Sequence, residues 1–409
     1  MAKLALLGGT PVRDKPYLQW PYSDEREVNE VAKVIRSGKW FRYDGDKVNE
    51  FEKAFAKAQG ASYAIAVTNG TAALEVALAV TGIGPGDEVV VPSYSFIATA
   101  SAVLVHGATP VFVDIQPDTY NMDPQCFEAA ITDKTKVVIP VHFAGYPADM
   151  DEIMAIAKKH NLFVLEDACH GHGGAYKGKM MGSIGNAAAF SFQASKNVTA
   201  GEGGACTTND AVLAEKMFSR HTFGRMPGRA WYEHYVVGTN TRITEMQAAI
   251  LLVQLSRMAQ QNKERLANVA ILEKCIGGHP EELGLMRSNS TTAEKRSVHL
   301  YMFKYLGGGA LAGISRETFA KAMAAEGVRV DTGYAVPLYK QAMFAHTPWG
   351  GQQTAAYDQL YQPVVEKAVT ESLWIVQQAF VGNSCQVDDI AAGIDKIINN
   401  ADELRRYDN

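Results

Sequence analysis

Short apolar runs alternate with stretches of helical periodicity between residues 61 and 166. Each run is four or five mainly apolar residues long and predicts a buried strand, while apolar residues three and four apart in the intervening stretches predict helices. The alternation is typical of an α/β fold, in which a mostly parallel sheet lies between helices. The predicted strands are 63–67, 88–91, 111–114, 137–141 and 163–166, and the predicted helices between them are 71–80, 98–105, 124–130 and 150–160.

The rest of the chain carries further helical and strand patterns. Helices are predicted before the sheet at 24–37 and 46–59, and a long helix with an apolar stripe is predicted after it at 244–273. The segments beyond predict a smaller α+β domain. They are 300–305, 317–326, 328–330, 366–375 and 387–400, preceded by a polar run at 289–295 that predicts a surface loop. We therefore expect a large domain, with the N-terminal segment, over residues 1–255 and a small C-terminal domain over residues 256–409.

Composition narrows the class of protein and its partners. The 409 residues are 47% hydrophobic and 20% charged, which is typical of a globular protein with a sizeable core. The formal net charge is −5 and basic residues are scattered, which argues against a nucleic-acid or anionic membrane surface. Without a recognisable secretory leader or an apolar run of membrane-spanning length, a cytoplasmic protein is expected. The five cysteines are widely spaced, which indicates reduced thiols rather than a disulfide framework or a metal site.

The candidate chemistry centres on Lys196. An apolar run at 187–190 predicts a buried strand that leads to this lysine, and a flexible glycine-rich turn follows at 200–204. Most lysines in such a position extend to solvent, but the hydroxyl groups and flexible backbone around this one suit an anionic ligand. In a partly desolvated pocket, a lysine is neutral often enough to form a Schiff base with an aldehyde. The aldehyde that this environment indicates is pyridoxal phosphate.

Polar loops follow three of the predicted strands, at the edge of the sheet where ligands bind. Gly70 and Thr71 open a helix and offer N–H groups to an anion, or else form an ordinary turn and helix start. Phe96 suits stacking on a planar heterocycle, although such an aromatic is more often part of the core. Asp167 follows a buried strand, where a carboxylate needs a cation such as a pyridinium N–H, unless it caps a helix. His170 is either a donor to the cofactor's phenolic oxygen or a hydrogen-bonded pocket residue.

Four motifs, taken in order, resemble the signatures of one protein family. They are DACH at 167–170, SFQASK at 191–196, TAGEGG at 199–204 and GTNTR at 238–242. The chain is similar, almost from end to end, to the sugar aminotransferase family of the DegT/DnrJ/EryC/StrS type. This resemblance implies the aspartate-aminotransferase-like type I fold of pyridoxal phosphate enzymes, with a large domain and a smaller C-terminal α+β domain.

The resemblance implies how the chain would hold the reactive part of the cofactor. Lys196 matches the lysine that forms the Schiff base and shuttles the proton, and Asp167 matches the partner of the pyridinium nitrogen. Phe96 matches the ring that stacks on the cofactor, and His170 matches the group that bonds its phenolic oxygen. Lys196 and Asp167 are therefore the expected catalytic residues.

Other matching positions imply phosphate contacts and an assembly. Gly70, Thr71 and Ser191 match residues that contact the phosphate within one subunit. Asn240 matches a residue that reaches the phosphate of the neighbouring subunit. The resemblance thus implies a homodimer with shared active sites, while no metal is expected from the cysteine spacing.

The implied reaction is transamination through pyridoxamine phosphate. An amino group passes from glutamine or glutamate to the cofactor and then to a keto cyclitol or keto sugar, in aminocyclitol, amino-sugar or antibiotic biosynthesis. Gln193 stands where many nucleotide-sugar enzymes have histidine. The sequence at this position resembles that of cyclitol aminotransferases and aminohydroxybenzoate synthases, and so do the segments 40–42 and 141–143. The aromatic loop at 40–43 is a candidate wall of the substrate pocket.

Three alternatives stay open from the sequence. An aromatising dehydratase of the aminohydroxybenzoate synthase type would use the same cofactor, and so would an aminotransferase for a nucleotide-linked keto sugar. A cofactor-binding protein without catalytic activity is disfavoured, because both Lys196 and Asp167 are present.

Overall fold

The computed structural model describes residues 2–286, 295–346 and 357–408. The surface loop predicted at 289–295 therefore lies outside the described residues, except for Lys295. The strands are β1 (Tyr63–Val67), β2 (Glu88–Pro92), β3 (Thr109–Val113), β4 (Thr135–Val138), β5 (Phe163–Asp167), β6 (Ala175–Tyr176), β7 (Lys179–Met180), β8 (Ala187–Ser191), β9 (Gly204–Thr208), β10 (Leu283–Leu285), β11 (Leu300–Tyr305) and β12 (Ser372–Val376). The helices are α1 (Glu25–Ser37), α2 (Lys47–Ala58), α3 (Gly70–Ala79), α4 (Ala98–Val105), α5 (Pro124–Ala129), α6 (Met150–His160), α7 (Ala211–His221), α8 (Glu245–Ile276), α9 (Arg316–Ala325), α10 (Ala342–His346), α11 (Pro363–Glu371), α12 (Cys385–Asn399) and α13 (Ala401–Asp408).

A seven-stranded sheet in the order β1-β9-β8-β5-β4-β2-β3 forms the centre of the large domain. The pairs from β8 through β5, β4 and β2 to β3 are parallel, while β9 is antiparallel to both β8 and β1. The strand β1 therefore runs in the same direction as β8, and β9 alone is reversed in this sheet. The carboxyl ends of β1, β2, β5 and β8 consequently meet at one edge, where the polar loops gather. The predicted mostly parallel α/β architecture is confirmed.

Alternate residues of β2 pack into different cores, because successive side chains of a strand point to opposite faces. Val89 and Val91 belong to the cluster formed with α3 and α4. Val90 belongs to the cluster on the other face, with Val138 of β4 and Val164 of β5. Both faces of the sheet are thus buried, as the continuous apolar runs predicted.

Two predicted segments differ from the elements that form. The strand predicted at 137–141 ends at Val138, because Pro140 has no N–H to continue the ladder. Pairing resumes beyond it as an isolated bridge between Val141 and Asp167. The segment 366–375 divides between a helix and a strand, with α11 ending at Glu371 and β12 beginning at Ser372.

The C-terminal part of the chain forms a second core. Strands β10, β11 and β12 pair in an antiparallel sheet that packs with α9, α12 and the end of α8. Leu4 from the N-terminal segment is fully buried in the same core. The carboxylate of Glu326 is buried there as well, accepting hydrogen bonds from the N–H groups of Ala5 and Val12 at 2.8 and 3.1 Å and pairing with Lys396 at 2.8 Å.

The division between residues 255 and 256 stays a prediction. The helix α8 runs through this position and contributes to both cores, with Leu251 in one and Leu272 in the other. None of the helices in the described ranges combines the length and apolar composition that crossing a lipid bilayer requires.

Candidate active site

A cavity of about 760 Å³ opens at the carboxyl edge of the large sheet. Its walls come from the loops after β1, β2, β5 and β8, together with His299 and Tyr334 from the C-terminal part of the chain. Seven of the eight site residues predicted from the sequence line this cavity. They are Gly70, Thr71, Phe96, Asp167, His170, Ser191 and Lys196.

Lys196 lies on the loop that joins β8 to β9 and is partly exposed to the cavity. Its backbone carbonyl accepts a hydrogen bond from the indole N–H of Trp20 at 3.2 Å, which anchors the loop to the N-terminal segment. Burial lowers the pKa of the lysine amine, and the nearby Cys169 and Asp167 partly oppose that shift. The amine is therefore more readily neutral than that of an exposed lysine, as a nucleophile or a general base requires.

Asp167 ends β5 and is almost fully buried, with 5% of its surface exposed. One carboxylate oxygen accepts from the hydroxyl of Thr99 at 2.8 Å, and the other accepts from the N–H of Cys169 at 3.2 Å. Ser95 in turn contacts the hydroxyl of Thr99 at 2.8 Å. The residues after Asp167 form turns rather than a helix, so the interpretation of Asp167 as a helix cap is wrong.

Two buried histidines of the same cavity face each other. The ring centroids of His170 and His299 lie 4.1 Å apart. Burial lowers the pKa of both rings well below the usual value, so that both are neutral near pH 7. The Nδ1 of His170 accepts from the N–H of Ala144 at 3.1 Å, which leaves the ring proton on Nε2 as a donor. His299 was missed in the sequence, although it immediately precedes the apolar run of β11.

The start of α3 forms an anion-binding end of the cavity. The side chain of Asn69 caps the helix by accepting from the N–H of Ala72 at 2.8 Å. The N–H groups of Gly70 and Thr71 precede the first intrahelical bond and are available to a ligand. A Cβ atom at Gly70 would lie 2.7 Å from the Cβ of Ser191, so only glycine leaves this space open. A phosphate group fits such a donor set at the positive end of a helix dipole.

Phe96 supplies an apolar wall for a planar ligand. The residue is 57% exposed and lines the cavity, so the interpretation as a core residue is wrong. With a lysine amine, a buried carboxylate and an anion-binding end in one cavity, the residues fit pyridoxal phosphate in both shape and charge.

Asn240 does not line the cavity of its own chain. It is exposed and pairs with Thr222 in an isolated bridge. The hydroxyl of Thr222 also contacts the phenol of Tyr43 at 3.0 Å, and Tyr43 packs against Trp231. The aromatic loop at 40–43 therefore lies beside Asn240 and does not contribute a wall to the cavity.

Comparisons with known proteins agree with this geometry. Residues 21–391 match the model of the DegT/DnrJ/EryC1/StrS aminotransferase family. The chain is 34% identical over 422 residues to the L-glutamine:2-deoxy-scyllo-inosose aminotransferase of Streptomyces lividus, covering 98% of this chain and 99% of that relative. It is 46% identical over 253 residues to the GDP-perosamine synthase of Caulobacter vibrioides, covering 62% of this chain and 66% of that relative. The crystal structure of 3-amino-5-hydroxybenzoic acid synthase is similar with a TM-score of 0.85 and 32% identity, covering 96% of this chain and 100% of that one.

Proposed function

The chain belongs to the DegT/DnrJ/EryC1/StrS aminotransferase family, and on that premise we propose that it transfers the amino group of glutamine to a keto cyclitol. The resemblance found in the sequence motifs is confirmed, and the protein is a pyridoxal phosphate-dependent aminotransferase. The observation that carries the proposal is the placement of Lys196 and Asp167 in one cavity that also has an anion-binding end. Similarity to a cyclitol aminotransferase over 98% of the chain supports the choice of acceptor.

Different residues of the cavity would hold different parts of the cofactor. The N–H groups of Gly70 and Thr71 and the hydroxyl of Ser191 would bind its phosphate. Phe96 would supply the apolar wall for its ring, and Nε2 of His170 would donate to its phenolic oxygen. The carboxylate of Asp167, held in place by Thr99, would keep the ring nitrogen protonated.

Lys196 is the general base of the reaction. When bound, pyridoxal phosphate supplies an aldehyde for the amino group and a ring that stabilises negative charge. The neutral Nζ of Lys196 takes the proton from the α-carbon of the amino donor, and burial makes that neutral form available. In the second half of the reaction, the same amine returns a proton to the carbon that receives the amino group.

A second copy of the chain completes the phosphate site. Asn240 lies outside its own cavity, on a surface that also exposes the aromatic rings of Trp40, Trp231 and Tyr232. Exposed aromatic groups at this density are typical of protein interfaces. We infer that this surface contacts the partner in a homodimer and that Asn240 donates to the phosphate in the partner's cavity.

A nucleotide-linked keto sugar is the second candidate acceptor. The 46% identity to GDP-perosamine synthase over 253 residues favours it. An aromatising dehydration is a third possibility, supported by the similarity to 3-amino-5-hydroxybenzoic acid synthase. These three candidate reactions would give different products.

Product analysis separates these candidates. Purified protein with pyridoxal phosphate and glutamine labelled with ¹⁵N at the α-amino group is incubated with scyllo-inosose, 2-deoxy-scyllo-inosose or a nucleotide-linked 4-keto sugar. We expect mass spectrometry to find one ¹⁵N in an aminocyclitol, and no such product from a Lys196→Ala variant. Labelling of the nucleotide sugar alone would reject the cyclitol acceptor, and a product that has lost water and become aromatic would indicate the dehydratase. Parallel reactions with labelled glutamate test the choice of donor.

A further inference from the structure

Three side chains with different ligand atoms converge where the end of α8 meets α12, away from the catalytic cavity. Cys275 lies in the last turn of α8, and His279 follows four residues later on the same side. Asp395 comes from α12. Their Sγ, Nε2 and carboxylate oxygen atoms all lie within 4.8 Å of one another. Within the part of the chain that the structure describes, no other group of three such side chains comes together in this way.

The arrangement differs from that of a nucleophilic cysteine. Nε2 of His279 lies 2.7 Å from Oδ1 of Asp395, and Sγ of Cys275 lies 3.9 Å from the same oxygen. The histidine and the thiol thus both face the carboxylate, instead of the histidine lying between the other two. The histidine is therefore not placed as the base of a nucleophilic thiol, whereas three ligand atoms within 4.8 Å of one another can be drawn together by a metal ion.

The ligand set suits zinc. Zinc binds cysteine sulfur, histidine nitrogen and carboxylate oxygen at about 2.0 to 2.3 Å in a tetrahedron, and three protein ligands leave the fourth position to water. A thiolate and a carboxylate together balance the charge of Zn²⁺, and the carboxyl end of a helix favours a cation. Magnesium and calcium prefer sites made of oxygen atoms, so the sulfur selects against them.

We propose that Cys275, His279 and Asp395 form a zinc site that fastens the end of α8 to α12. Binding forms bonds from zinc to Sγ, Nε2 and a carboxylate oxygen, and the thiol proton leaves to solvent. The hydrogen bond between His279 and Asp395 is replaced by their bonds to the metal. Asp395 is 53% exposed and His279 is 23% exposed in their side chains, which leaves the ion a path from solvent.

None of the three residues lines the catalytic cavity, and the proposal is independent of the aminotransferase reaction.

Cobalt(II) titration of the full-length, tag-free holoenzyme tests the proposal. After removal of metals with a chelator, one equivalent of Co²⁺ should give the visible d–d bands of tetrahedral coordination, at longer wavelength than the cofactor absorbs. Zn²⁺ should abolish these bands by displacing Co²⁺. Zn²⁺ should also raise the melting temperature, and the rise should increase with the logarithm of the Zn²⁺ concentration above the dissociation constant.

Variants locate the bound metal. Cys275→Ser should lose the bands and the rise in melting temperature, and His279→Gln should weaken binding at least about tenfold, since it removes a ligand. Cys385→Ser is the control, because Cys385 is an exposed cysteine outside the cluster, and its titration should equal that of the wild type. Absence of the bands from the wild type, or full bands in a folded and active Cys275→Ser protein, would overturn the site.

Discussion

Asp167 illustrates how single residues set the chemistry of the cavity. Its carboxylate is buried, and its two hydrogen bonds come from Thr99 and Cys169. These contacts fix the position of the carboxylate. Among the described residues, no cationic side chain is in direct contact with it. A protonated ring nitrogen would supply that cation.

Asp167→Asn is expected to lower turnover by about 100-fold or more, because it keeps the shape but removes the charge that holds the ring nitrogen protonated. Steady-state rates at saturating pyridoxal phosphate measure this effect. Thr99→Val serves as a comparison, since it removes one hydrogen bond while leaving the charge, and its loss should be smaller. Turnover of the Asn variant near that of the wild type would mean that Asp167 acts only in folding.

Gly70→Ala is expected to weaken cofactor binding by about tenfold or more, equivalent to about 1.4 kcal/mol. The added methyl group would lie 2.7 Å from Ser191 and 3.1 Å from the sulfur of Cys169. Spectroscopic titration with pyridoxal phosphate measures the dissociation constant. Gly84→Ala is the matched control, because nothing lies within 4 Å of a Cβ at that position. Equal affinities in the two variants would exclude the tight approach at Gly70.

Only some residues of the site could be predicted from the sequence, because only some of them are unusual where they stand. Lys196 and Asp167 stand beside apolar runs, where a charged side chain is unusual and attracts attention. Thr99 and His299 also line or support the site, but a threonine in a helix and a histidine before a strand are common. Their role depends on a tertiary contact, which no local pattern encodes.

The sequence predicts the elements that contain strong apolar runs. It does not predict those that form only because adjacent strands pair with them. The strand β9 reads GACTT, small residues without an aliphatic run, and it forms because it pairs with β8 on one side and β1 on the other. The end of β4 depends on the single residue Pro140. The helix α8 was predicted almost to its full length because its apolar stripe is continuous.

Glu326→Ala tests how firmly the N-terminal segment is attached to the second core. The substitution removes the acceptor of two backbone N–H groups and leaves Lys396, with only 10% of its side chain exposed, without its carboxylate. We expect the free energy of unfolding to fall by about 3 kcal/mol, as for other broken buried pairs. Urea denaturation measures it. Glu50→Ala, which breaks an exposed pair with Lys47, should change it by less than about 1 kcal/mol, and a similar loss in both variants would contradict the anchoring role.

The whole molecule is expected to lose stability in mild acid. Burial lowers the pKa of both His172 and His221 to about 3 in the folded chain, whereas an unfolded histidine titrates near about 6.5. Below that pH, the unfolded state binds protons that the folded state excludes, so the free energy of unfolding falls as pH falls. Each histidine contributes up to about 1.4 kcal/mol per pH unit between the two values.

Urea midpoints measured from pH 7 to pH 5 test this slope, since most carboxylates titrate below that range. His172→Phe should reduce the slope, because the ring lies among Phe55, Phe190 and Phe192 and the replacement cannot be protonated. An unchanged midpoint over this range would show that the buried histidines do not control acid stability.

At the level of assembly, mixing two inactive variants tests the shared site. If Asn240 serves the partner's cavity, a mixed dimer of Lys196→Ala and Asn240→Ala chains contains one site with both lesions and one with neither. Activity should then exceed that of either parent after subunit exchange, up to about half that of the wild type per mixed dimer. No recovery despite proven exchange, with a clear defect in the Asn240 variant alone, would place Asn240 in its own subunit.

The packing of the N-terminal segment has a consequence for synthesis of the chain on the ribosome. Ala5 is bonded to Glu326, which is translated 321 residues later. Until then, Leu4 has no core to enter and remains with the nascent chain, while the large sheet has already been made. The second core can close only after α12 and α13 have been made, so Leu4 and Ala5 reach their final places long after they are synthesised.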